Sequence, residues 1–159
     1  MNIIVPAITL TSIGIISSAL NSLYMLKESL KKSHSYSGYN ELKQFLYETD
    51  HETILNSSKL IINKLMPSKN ENIQKIIKSL LNTIDEIEKE LNDIHNRINY
   101  NNNCHLKIYP FLYKFHNAKI RLQTLTNKLN NQTEQLMKTT TFLMSLNKNP
   151  APINNKQND

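Results

Sequence analysis

Five carboxylates within nine residues, Asp85, Glu86, Glu88, Glu90 and Asp93, form the densest reactive set in the chain. Glu86, Glu90 and Asp93 are spaced by four and three residues, so a helix puts them on one face, where a divalent cation could bridge them. Calcium sites, however, draw roughly six to eight oxygens from a looped backbone, and no such loop pattern is present. A solvated acidic face that pairs with a basic helix is the expected role. Cys104-His105, with His95 and His116 nearby in sequence, offers soft ligands, but the spacing fits no zinc finger or ribbon and a fourth ligand is missing. Nor is a third residue placed to orient an imidazole for a Cys/His nucleophile. These residues read as polar caps and rims around a turn. No catalytic residue, metal site or cofactor is expected, and the chain is read as a non-enzyme.

Composition narrows the classes further. Gly14 and Gly38 are the only glycines, too few for a phosphate-cradling loop or for a fold with many tight reversals. The single cysteine excludes an internal disulfide framework and suits a reducing compartment. Net charge is +6, and residues 104–159 carry essentially all of the surplus, beside a slightly acidic stretch over 68–103. Lys107, Lys114, Lys119, Arg121, Lys128 and Lys138 run along one expected helix, and Glu88 and Glu90 answer several of them. Arginine, which makes the commonest specific base contact, occurs only at Arg97 and Arg121. Tyr109, Phe111, Tyr113 and Phe115 cluster near a turn and read as core more than as a stacking platform. Nucleic-acid binding is therefore expected to be confined to unspecific phosphate contacts.

The elements that carry these residues are helices. Ile73, Ile77, Leu80, Ile84, Ile87, Leu91, Ile94 and Ile98 alternate by four and three, a heptad seam. After a polar turn at Tyr100–Cys104 the pattern resumes through Phe111, Phe115, Ala118, Leu122, Leu125, Leu129, Gln132 and Leu136. It weakens through Thr139, Leu143 and Leu146. Two long apolar-striped helices with a short link favour an antiparallel hairpin. Meeting Ile98 with Phe111 pairs every seam residue: Leu91 with Ala118, Ile87 with Leu122, Ile77 with Gln132. The same register sets Glu88 beside Lys119 and Glu90 beside Arg121. Upstream, a short helix over Glu41–Glu48 follows a break at Ser33–Tyr39. Asp50 caps a helix from His51 to Met66 that stops at Pro67, and Ser68–Glu71 reads as a capping box. The fold class is all-α, a coiled-coil-like hairpin (69–100 with 110–147) with further helices making a three- or four-helix bundle. Residues 1–32 form a separate apolar helix, 40–147 the bundle, and 148–159 a tail expected to be disordered.

Met1–Leu26 carries no charge, and Ile8–Leu26 is 19 residues, near the lower limit for crossing a bilayer. Gly14, Ser18 and Ser22 recur every four residues, a small-residue stripe that admits close helix approach. Ile13, Ile16, Leu20 and Leu23 make a second, apolar stripe. A membrane anchor is the leading expectation, a buried bundle helix the second and a cleaved signal peptide the third. If the segment spans, Lys27, Lys31 and Lys32 place the body on the cytoplasmic side.

The Asn/Lys/Ile-rich composition, the apolar amino terminus and the heptad-bearing helices together resemble small helical structural proteins of large AT-rich DNA viruses. That resemblance implies a structural role in a virion. The leading function is a membrane-anchored structural or adaptor protein that binds another protein, or a second copy, by helix packing. A soluble basic module on nucleic acid and a membrane-perforating helical protein are the alternatives. Ile76 and Leu81 lie off the seam, and Gln132 and Thr139 interrupt it, so the partner surface is expected around these four residues, at the open end of the hairpin.

Overall fold

The computed structural model describes residues 4–33, 37–104 and 114–148, with side chains over 12–33, 38–104 and 114–146. Five helices follow one another: α1 (Ile4–Lys32), α2 (Ser37–Glu48), α3 (His51–Leu65), α4 (Glu71–Asn103) and α5 (His116–Lys148). No strand occurs among the described residues. The helices pack against one another as a bundle.

The heptad seam is the centre of the core. Its eight positions on α4, from Ile73 to Ile98, are all buried, as are Phe115, Ala118, Leu122, Leu129 and Leu136 from the other arm. The arms run antiparallel: Gln132 Nε2 donates to Ser79 Oγ at 2.8 Å, and Arg121 binds Glu90 further along. Phe111 and its pairing with Ile98 lie outside the described residues, as do the turn residues after Cys104. The helix preceding that turn runs on through Asn103, so the polar segment at Tyr100–Cys104 is mostly its last turn. Asparagine tolerates helix ends well enough for this extension.

α1 is the second long arm against α4, and the two are parallel. Ser18 donates to Glu88, Ser29 Oγ to Asn99 Oδ1 at 3.4 Å, and Asn102 Nδ2 to Ser33 Oγ at 2.9 Å, so the register advances in step along both helices. Ile16, Ala19, Leu23, Leu26 and Leu30 carry the apolar side of α1 into the core. Among the described residues no helix is long and apolar enough to cross a membrane. The hydroxyls and amides that dilute Ile8–Leu26 lower its hydropathy, while spacing still leaves one apolar stripe for burial.

α2 and α3 make the fourth arm, broken at Thr49–Asp50. α2 begins at Ser37, four residues before the expected start, and takes Gly38 into its first turn. Tyr39 stacks obliquely on Phe115 with ring centres 5.7 Å apart, which seats α2 beside the start of α5. Asp50 caps α3, its carboxylate accepting from Thr53 N at 3.2 Å. Lys27 reaches Glu52 at 3.4 Å, and Ser58 meets Thr133 at 3.5 Å, so α3 lies against α1 and α5. The cap of α4 is Asn70, not Ser68: Asn70 Oδ1 accepts from Asn72 N and Ile73 N, and Ser68 Oγ accepts from Asn70 N. Asparagine in extended conformation caps as well as serine does, and it sits one residue before the helix. Gln74 ties the corner by donating to the Met66 and Ser68 carbonyls at 3.0 and 2.7 Å.

Candidate interaction surface

Four of the five clustered carboxylates find partners within the bundle, and Asp93 stays exposed. Glu90 is nearly buried and receives Arg121 Nε at 2.9 Å and Nη2 at 2.8 Å. That bidentate pair also raises the arginine's pKa, chiefly through its hydrogen bonds to Glu90. Asp85 holds Lys89 at 2.7 Å, and Glu86 holds Lys128 at 3.5 Å. The expected Glu88–Lys119 pair does not form. Glu88 accepts the Ser18 hydroxyl, because α1 lies on that flank of α4, and Lys119 turns to Glu41 at 3.9 Å and the Phe45 ring at 6.0 Å. Arg97 lies 4.9 Å above the centre of the Phe115 ring. Among the described residues, no group of three His, Cys, Asp or Glu side chains is placed to hold a metal ion. His95 is engaged with Ser29 Oγ at 3.0 Å and Asn99 Nδ2 at 2.9 Å, and Cys104 is a half-buried free thiol at the end of α4. His105 lies outside the described residues.

His51 is a site the sequence did not single out. It opens α3, is buried, and sits edge-on to Phe45 with ring centres 5.5 Å apart. Neither ring nitrogen has a hydrogen-bond partner of good geometry. Burial pushes its pKa down to about 4, with Lys27 pushing the same way and Thr49 and Asp50 opposing. A histidine kept neutral in this manner is a structural element with an acid weakness.

The residues expected to pack α1 divide. Ile16, Leu23 and Ser22 are buried, and Ile13 and Leu20 are half-buried. Ser18 is exposed, with its hydroxyl on Glu88, and a Cβ at Gly14 would meet nothing within 4 Å. The small-residue stripe therefore contributes one buried serine, one polar bridge and one open position. Ile76 and Leu81 are half-buried against the bundle's own core. Gln132 is half-buried, its Oε1 enclosed without a partner, and Thr139 is half-buried.

A different set of apolar residues is left uncovered. Met137 is 54 % exposed, Phe142 61 %, Met144 52 % and Leu146 54 %, all on the last three turns of α5. Met137, Met144 and Leu146 border two adjoining grooves, and Phe142 stands apart from both. One is lined by Ile61, Lys64 and Leu65 of α3 with Met137, Thr140 and Met144 of α5. The other lies between Leu65, Ser68, Asn70 and Ile73 on one side and Leu143 and Leu146 on the other. No family model, curated protein or solved structure matches the chain. This uncovered end is thus read from its own chemistry.

The expected seam continued through Thr139, Leu143 and Leu146 and passed over Met137, Phe142 and Met144. Their signal was in the sequence: apolar residues off the heptad stripe, crowded into the last turns of a helix. Among the described residues of these last turns, Leu143 alone packs partly against the core.

Proposed function

We propose that this chain is a non-enzymatic structural or adaptor protein that engages a partner through the open end of its bundle, where α3 and α4 meet the last turns of α5. The exposed apolar run Met137, Phe142, Met144 and Leu146 supports this reading most strongly. Apolar side chains gathered at one end cost solubility unless something covers them. The carboxylates and most cations at mid-bundle answer one another within the chain, which leaves that region little to offer a partner. In this reading α1 serves as an arm of the bundle, and its apolar stripe is spent on α4. The compositional resemblance to structural proteins of large DNA viruses is in keeping with such a role.

The test is a pair of substitutions, Phe142→Asp with Met144→Asp. Both sites are exposed, so helix content by circular dichroism should be unchanged while co-purification with the partner is lost. Retained co-purification, with loss instead on changing Tyr100 and Asn102 at the opposite end, would place the partner surface there.

A further inference from the structure

We infer that the open end of the bundle docks on an anionic lipid surface, its apolar tip entering the acyl boundary and its lysines meeting the headgroups. The inference rests on the reading that this end is the partner-facing one and adds what the partner is.

The shape of the end comes from register. Gln132 pairs with Ser79, so counting back along the antiparallel arms sets Thr140 level with Glu71, the first residue of α4. The residues of α5 after Thr140 run past the start of α4, a projection of about 12 Å at ~1.5 Å per residue. On this projection Phe142, Met144 and Leu146 are exposed and Leu143 is half-buried. They spread over a little more than half of the helix circumference, Phe142 and Leu146 on one flank and Met144 on the other, with Thr141 and Ser145 on the remaining side. An apolar surface spread over this much of one helix end suits a fluid apolar medium. The parallel register of α1 and α4 starts α1 at the same end, and its Ile4–Leu26 stretch carries no charged residue.

The open end is basic. Lys59, Lys64, Lys69, Lys75 and Lys78 surround this end, and none is in an ion pair among the described residues. The acids near this end are Glu71 and Glu134, and Glu134 is held by Lys138 at 2.7 Å; the other carboxylates of α3 and α4 lie further along the bundle. Lys27, Lys89, Lys119, Arg121 and Lys128 each reach a carboxylate further along the bundle, while Lys32, Lys43, Arg97 and Lys114 toward the far end are, among the described residues, in no ion pair. Lysines free of acids, standing around an apolar tip, match a bilayer interface, where ammonium groups reach headgroup phosphates while the tip leaves water. A duplex would use the lysines but leave Phe142, Met144 and Leu146 in a solvated groove, and it would favour arginine for base contacts.

The experiment uses the full chain with vesicles of phosphatidylcholine, alone or mixed with phosphatidylserine. The chain contains no tryptophan, so Phe142→Trp gives a single indole at the tip. Its emission should shift to the blue on adding the mixed vesicles, stay put with phosphatidylcholine alone, and return on raising salt. Each of Lys64→Gln and Lys69→Gln should weaken binding about fivefold, as ~1 kcal/mol per lysine near an anionic surface implies. Met144→Ser with Leu146→Ser, added to Phe142→Trp, should abolish it. Lys43→Gln with Tyr47→Ser, in the groove between α1 and α2 at the other end, should leave it unchanged. No binding to the mixed vesicles overturns the inference, and if the Phe142→Asp, Met144→Asp pair still loses its partner the adaptor reading stands without it. Equal loss in the Lys43/Tyr47 variant overturns it too. So does binding to duplex DNA, and not to vesicles, that the lysine changes weaken.

Discussion

Arg121 on α5 grips Glu90 on α4 with two parallel hydrogen bonds, Nε to Oε2 at 2.9 Å and Nη2 to Oε1 at 2.8 Å. The carboxylate is nearly buried and the guanidinium mostly exposed. The pair therefore works less as surface charge than as a clasp that fixes how the two arms slide. Arg121→Gln should cost about 1 kcal/mol, and Glu90→Gln with Arg121→Gln should cost less than the sum of the two single changes. A double-mutant cycle in urea measures this. Strict additivity would show that the clasp contributes nothing.

The hairpin register has a covalent test. With Cys104→Ser in place, Leu91→Cys with Ala118→Cys should form a disulfide under mild oxidation. Leu91→Cys with Leu125→Cys, two turns out of step, should not. Leu91 and Ala118 are both buried between the arms, so the crosslink reports on the core itself.

This register was legible because a strict alternation of fours and threes leaves one face apolar on each arm, and Glu90 with Arg121 confirmed its direction. The role of α1 was not legible in the same way. An uncharged helix with one apolar stripe suits a bilayer or a bundle equally, and nothing local names α4 as its neighbour. The parallel match of Ser18, Ser29 and Ser33 with Glu88, Asn99 and Asn102 exists only once the chain is folded. His51 escaped notice for the same reason: its burial is a product of packing at the α2–α3 elbow.

Two changes in α1 separate close packing from open surface. Leu26→Ala empties a fully buried site and should cost about 2–5 kcal/mol. Gly14→Ala fills open space on a helix and should stabilise by about 0.5–1 kcal/mol. Thermal denaturation reads both. A destabilising Gly14→Ala would mean that another helix comes close at that point.

His51 sets an acid limit on the fold. Its pKa falls from 6.5 to about 4 on folding, so the unfolded chain binds the extra proton first. The stability that its neutral state permits is whole above pH 6.5 and declines as pH falls toward 4, by about 3 kcal/mol in total. Lys27 of α1 and Asp50 before α3 are the charged groups acting on the ring, in opposite directions. Urea titrations across this range should show the decline in the native protein and a flatter profile in His51→Leu. Parallel profiles would mean that His51 titrates normally.

The most direct measurement is site-specific photo-crosslinking in the cells that make the protein, with a photoreactive residue at Met144 or, for comparison, at the exposed Asn127 on the same helix. An adduct at Met144, to lipid or to protein, with none at Asn127 is the expected result. Adducts at Asn127 and none at Met144 would contradict the assignment of the open end as the partner-facing surface.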